Sequence, residues 1–238
     1  MINNLSVLSV IPARGGSKGI PLKNLSKVGG VPLVGLAANI STSVNEIDRT
    51  VVSTDNEEIA LVANSYGADN FFRRPEKLSG DRVGDLEVLQ HALLTTEEFD
   101  QTQYDIIVML QPTSPLRKIQ HVADCIKMLA ENDYSAVWTL SETDSKSHPL
   151  KQLSIDTNTK SFEYYDQTGA LIIARQQLSP VYHRNGLAYA IRRETLMEEA
   201  SIKGNNPGAL ITPGNFISID TELDLELTNF YLNKNLDK

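Results

Sequence analysis

The chain has little of what several common functions need. Its 238 residues include one cysteine, four histidines and one tryptophan, and aromatic residues make up 6% of it. A lone thiol closes no intrachain disulfide, and Cys125 falls in a helical stretch among apolar residues, where a structural role outweighs a nucleophilic one. His91, His121 and His148 lack the spacing of metal ligands, so no zinc site is expected. No apolar run approaches the roughly 20 residues that span a bilayer. The start, MINNLSVLSVIPARGG, shows neither the basic region nor the small-residue cleavage pattern of a secretion signal. These absences predict a cytoplasmic protein with no membrane partner. Positive charge is also in deficit: 22 Lys and Arg against 30 Asp and Glu give a net charge of -8, which argues against a nucleic-acid partner.

Against that deficit, one short turn is rich in cations. "IPARGGSKGIPLKN" (11–24) follows an apolar run and carries Arg14, Lys18 and Lys23 beside Gly15, Gly16 and Gly19. Glycines let backbone N–H groups approach an anion, and the cations supply countercharge, so the turn is suited to clamping a polyphosphate. A solvated basic turn is the competing reading. Neither G-x-x-x-x-G-K-[ST] nor G-x-G-x-x-G occurs.

The surrounding pattern is α/β. Short apolar runs at 5–12, 49–54, 104–112 and 135–140 read as buried parallel strands, alternating with helical spacing at 32–44, 56–67, 85–99 and 119–132. Such alternation implies a mostly parallel sheet flanked by helices. From 141 to 186 turn formers dominate and no helical period persists, so a β-rich insertion is expected within a single domain. Strands are predicted again at 186–193 and 215–220, and a closing helix at 221–235 with Thr221 as N-cap and Asp224 capping its first turn. In an open parallel sheet ligands bind beyond the carboxyl ends of the strands. "LQPTSPLR" (110–117) lies at such an end, where the Gln111 amide can bind a sugar hydroxyl; Thr113 and Ser114 either join it or cap the next helix, and Arg117 adds a cation.

The turn at 11–24 resembles the signature of the acylneuraminate cytidylyltransferases. "VSTDNEEIA" (52–60), "RPEKLSGD" (74–81), "LQPTSPLR", "HPLK" (148–151), "RNGLAYAI" (184–191) and "ISIDTELDL" (217–225) agree with that family in order. The resemblance implies a GT-A-like nucleotidyltransferase fold over residues 1–238, CTP and a nonulosonic acid as substrates, and Mg2+. It also implies a homodimer whose β-rich arm reaches its partner. Arg14, Lys18 and Lys23 would then hold the triphosphate. Ala13, Asn24, Arg74 and Ser79 would serve the cytosine and ribose. Gln111, Lys151, Arg175, His183, Arg184 and Asn185 would serve the sugar, where an arginine suits its carboxylate. Asp220 would bind the metal, with Ser218 where relatives place a second aspartate, and Asp55 is a weaker site residue. Gly84-Asp85 stands where small hydroxyl residues are common. No residue of the motifs stands out as a base, so metal-assisted ionisation of the acceptor hydroxyl is the expected route. Two alternatives stay open: transfer to an eight-carbon octulosonate, and nucleotide binding without catalysis.

Overall fold

The computed structural model describes residues 2–236. In chain order its elements are β1 (Val7–Pro12), β2 (Lys27–Val28), β3 (Val31–Pro32), α1 (Leu33–Thr42), β4 (Arg49–Ser53) and α2 (Glu57–Ser65). Next come α3 (Asp85–Asp100), β5 (Ile106–Met109), α4 (Ile119–Glu131), β6 (Ala136–Glu142), β7 (Leu153–Ile155) and β8 (Phe162–Tyr164). The chain closes with β9 (Tyr182–Arg192), α5 (Arg193–Met197), β10 (Pro207–Ile211) and α6 (Glu222–Leu236). Six strands form one sheet in the order β10-β6-β9-β5-β1-β4.

Burial explains the centre of this sheet. In β1, Val7, Leu8, Val10 and Ile11 are all buried, so both faces of the strand must be covered. Fully burying each such side chain stabilises by roughly 1.5–3 kcal/mol, enough to hold the strand inside. One face packs Val7 and Ile11 with residues of α1, α2 and α4; the other packs Leu8 and Val10 with Leu89 and Leu93 of α3. Cys125 belongs to the first layer. Its thiol donates to the Val137 carbonyl at 3.2 Å, and burial pushes its pKa up to about 12, which makes it inert.

β1 pairs in parallel with β4 and β5, as alternation implies, but β9 runs antiparallel between β5 and β6. That reversal brings the start of β9 to the carboxyl ends of β5 and β6. Beyond the sheet β6 and β9 continue as a ribbon, pairing Glu142 with Tyr182. Between them residues 143–181 carry only the β7–β8 hairpin and short 3-10 turns. The predicted strand at 215–220 is not one. The last strand is β10, and 215–220 is an extended segment fastened by the Ile219 N–H to the Thr113 carbonyl at 2.8 Å. Its Ile219 is buried with Ile20, Val28 and Leu33, which accounts for the apolar pattern.

α6 begins as its sequence predicts. The Asp224 carboxylate accepts from the N–H groups of Asp220 and Thr221, at 3.1 and 2.8 Å, while Thr221 Oγ1 accepts from the Asp224 N–H. The helix then docks on the β2–β3 hairpin through Asn229, whose Oδ1 accepts the Gly29 N–H. Among the described residues no helix is long and apolar enough to cross a membrane.

Candidate active site

The parallel strands β1, β4 and β5 end at the same edge, so the segments that follow them converge. There a cavity of about 460 Å³ is lined by Arg14, Lys18, Gly19, Lys23 and Asn24 from the first turn. Arg74, Asp81, Asp85, Gln111, Thr113 and Asp220 add further polar groups to the lining.

The first turn is tied down at several points. Ala13 is buried and donates its N–H to the Ser53 carbonyl, the Gly15 N–H donates to Asp55 Oδ1 at 2.8 Å, and Asn24 Nδ2 donates to the Arg14 carbonyl at 2.9 Å. Leu22 takes up left-handed backbone at φ 48, an uncommon conformation for a branched residue and a local strain. Gly15 and Gly16 lie outside the cavity lining, and the Gly15 N–H is taken by Asp55. Gly19 does line it, and a side chain there would collide with the Asp220 carbonyl oxygen.

The cations of the turn are held by carboxylates. Arg14 Nη1 and Lys18 Nζ pair with the two oxygens of Asp81, at 2.8 and 2.6 Å, and Lys23 Nζ pairs with Asp220 at 2.9 Å. The Lys18 and Arg14 hydrogen bonds hold the Asp81 carboxyl below the usual carboxylate range. Arg74 is buried, with Nε donating to Ser53 Oγ at 3.0 Å and Nη2 to the Ser53 carbonyl. Burial lowers its pKa to about 10, which leaves it charged at neutral pH.

Gln111 reaches the cavity through an arrangement of β5 and β9. Gly186, at φ 73, has no room for a side chain, which would collide with Ser114 Oγ and stand 2.9 Å from Gln111 Oε1. Arg117 is not the free cation its sequence position suggests. It is buried and straps the two elements together, donating Nη2 to the carbonyls of Gln111 and Gly186, at 2.6 and 3.0 Å, and Nε to Leu187. Ser114 donates to the Asn185 carbonyl at 3.1 Å rather than capping α4.

The predicted sugar residues are dispersed. Asn185 is buried and donates to Ser141 Oγ and Thr212 Oγ1, at 3.0 and 2.6 Å, so its amide fastens β9 to β6 and to the residue after β10. His183 Nδ1 bonds Thr143 Oγ1 at 3.0 Å, and the Arg184 guanidinium lies 5.5 Å from the centre of the Trp138 ring. Lys151 is exposed at the end of a 3-10 turn, and Arg175 lines a second cavity, of about 240 Å³, with Glu142, Asp144 and His148. Ser79 turns its hydroxyl back to the Pro75 carbonyl, between the lining residues Leu78 and Gly80. Ser218 is exposed and outside the lining. Asp81, which fits the motif that begins at Arg74, and Asp85, which stands where small hydroxyl residues are common, both line the cavity at the entry to α3.

Known proteins resemble this chain over most of its length. The family model described as Cytidylyltransferase matches residues 8–236. The chain is 31% identical over 232 residues to the CMP-N,N'-diacetyllegionaminic acid synthase of Campylobacter jejuni, covering 97% of each protein. To the N-acylneuraminate cytidylyltransferase of Escherichia coli it is 30% identical over 210 residues, covering 81% of this chain and 48% of that relative, about half its length. A solved structure described as CMP:2-keto-3-deoxy-manno-octonic acid synthetase complexed with CTP superposes with a TM-score of 0.68 at 16% identity, covering 97% of this chain and 99% of that one; that likeness concerns the fold. The chain belongs to the cytidylyltransferases, as the resemblance of its first turn implied.

Proposed function

We propose that this protein transfers CMP from CTP to the anomeric hydroxyl of a nonulosonic acid, with release of pyrophosphate and with Mg2+ bound. The observation that carries the reading is the single cavity in which Arg14, Lys18 and Lys23 meet Asn24, Arg74, Gln111 and Asp220. The acceptor oxygen forms a bond to the α-phosphorus while the bond to pyrophosphate breaks, and the hydroxyl proton passes to water. Such transfer needs positioning and neutralisation of charge more than covalent help from the protein. Arg14, Lys18 and Lys23 neutralise the triphosphate and the departing pyrophosphate, Arg74 and Asn24 hold the nucleoside end, and Gln111 orients the acceptor.

The donor set suits Mg2+. This ion keeps several waters and needs one or two protein carboxylates beside phosphate oxygens, and Asp220 offers an exposed carboxylate at the cavity, beside Lys23. Asp220 would hold the ion, which when bound withdraws charge from the phosphates and the acceptor hydroxyl. A homodimer is part of the proposal, because the arm between β6 and β9 exposes Ile155, Phe162 and Ile173, large apolar side chains that a second copy would cover.

The test is pyrophosphate release from CTP across a panel of sialic, legionaminic and pseudaminic acids, with octulosonate alongside. Turnover with at least one nine-carbon acid is expected. Turnover with octulosonate alone would move the assignment to the eight-carbon acceptor, and CTP binding without turnover on any acid would make the protein a nucleotide-binding homologue.

A further inference from the structure

One buried titratable side chain takes no part in the chemistry described above. Of the described residues between 143 and 181, His148 and Gly169 alone are buried. A polar ring taken out of water is costly unless its nitrogens are paired, and both nitrogens of His148 are. Nδ1 accepts the Leu150 N–H at 3.2 Å, which places the proton of the neutral ring on Nε2, and Nε2 donates to the Ser179 carbonyl at 3.0 Å. The first bond lies within the turn Pro149–Lys151, and the second crosses to the chain returning from the hairpin. Apart from that crossing bond, the Thr143 N–H to the Val181 carbonyl, at 2.8 Å, is the one hydrogen bond among the described residues that joins 143–151 to 175–181.

What the two bonds fix is the setting of two cations. Lys151 ends the turn and donates its N–H to the His148 carbonyl at 2.9 Å, and Gly169 backs the turn so closely that a side chain there would collide with the Leu150 carbonyl oxygen. Arg175 stands just before Ser179: the Leu178 N–H bonds back to the Arg175 carbonyl at 3.1 Å, and Arg175, His148 and Ser179 line the same cavity of about 240 Å³. We propose that His148 is a positioning residue for the acceptor: its ring, with the proton on Nε2, clamps the root of the arm and so fixes where Lys151 and Arg175 stand when they meet the carboxylate of the acid. An imidazole carries its acceptor and its donor at different distances from the backbone, so an asparagine reaches only the first partner and a glutamine only the second.

The inference rests on the proposed transfer to an acid, with the arm bringing Lys151 or Arg175 to it, and hydrogen exchange, which needs no substrate, separates the two. His148→Asn keeps the acceptor for the Leu150 N–H and loses the bond to Ser179; His148→Gln does the opposite. Thermal unfolding of each variant verifies the fold. For the acid that the wild type turns over best, kcat/KM should fall by about tenfold or more in His148→Asn, the scale of a displaced binding group, and stay within about threefold in His148→Gln. CTP affinity by calorimetry should stay within about twofold in both, because residues 143–181 add nothing to the lining of the 460 Å³ cavity. The Thr143 amide, beside the opened clamp, should exchange faster in His148→Asn alone. A ring that merely caps its turn gives the reverse order, with the asparagine variant spared. Any result other than a glutamine variant at least about threefold above the asparagine variant, or a CTP affinity that falls in step with turnover, overturns the role of His148 and leaves the proposed function standing. A wild type that turns over no acid overturns the proposed function instead; exchange then judges the clamp, and an unchanged Thr143 amide in His148→Asn overturns it.

Discussion

Gly19 couples the first turn to a residue about two hundred positions away. Its missing side chain lets the Asp220 carbonyl close against the turn, and Lys23 then reaches the Asp220 carboxylate. Gly19→Ala should separate the two segments and weaken CTP binding by about tenfold or more, by analogy with other displaced binding groups. The unfolding midpoint should fall only slightly, because the contact lies at the rim of the fold; calorimetry and a thermal melt measure the two effects. Asp81 acts in the opposite direction. It holds the cations the triphosphate needs, so Asp81→Asn should tighten CTP binding by about two- to fivefold at low salt, the scale of exposed ion pairs, and by less at high salt. Unchanged affinity in that variant would mean that the clasp and the nucleotide do not compete. Because the Asp81 pKa is depressed, the clasp is complete above the ordinary carboxylate pKa, near 4, and opens as pH falls through the lower folded-state value.

Between elements, the strap made by Arg117 sets the distance from β9 to the segment after β5. Its guanidinium is buried against three carbonyls, those of Gln111, Gly186 and Leu187, and burial lowers its pKa to about 9. Arg117→Met should cost about 2–4 kcal/mol in urea unfolding, since those carbonyls lose charged donors. Arg117→Lys should recover little, because one ammonium lacks the planar fork that reaches all of them. Recovery of full stability by lysine would show that charge alone matters there. The same residue marks what the sequence could convey. Periodicity revealed the parallel half of the sheet and its helices, because β1, β4 and β5 are apolar on both faces. It did not reveal that β9 is antiparallel, a fact of the path taken by residues 143–181. β10 was hidden for another reason: "PGALI" contains proline and glycine and is only partly buried at the sheet edge, whereas Ile219 gave 215–220 an apolar look through one buried side chain. For the site, cations and Gln111 were legible because type and position suffice. That Arg117 and Asn185 turn inward was not, since a motif shows residue type and not side-chain direction.

At the scale of the molecule, the cavity and the arm make different demands. The 460 Å³ cavity takes none of its lining from residues 143–181, so its shape does not depend on the arm. The arm is the reverse: Ile155 and Phe162 pair across β7 and β8 yet are 65% and 68% exposed, and Ile173 is 93% exposed. Apolar side chains left in water by their own chain imply a cover. With a second copy as that cover, Phe162→Glu combined with Ile173→Glu places charges at the interface and should convert the dimer to a monomer in sedimentation velocity. CTP affinity should stay within about twofold, the usual range for surface substitutions. Turnover should fall with monomer formation if the arm of one copy supplies Lys151 or Arg175 to the sugar of the other, and should recover at protein concentrations that restore the dimer. A wild-type protein that sediments as a monomer would remove the second copy altogether. A double variant that stays dimeric would place the interface elsewhere on the chain, and a monomeric variant with undiminished turnover would confine the sugar site to a single chain.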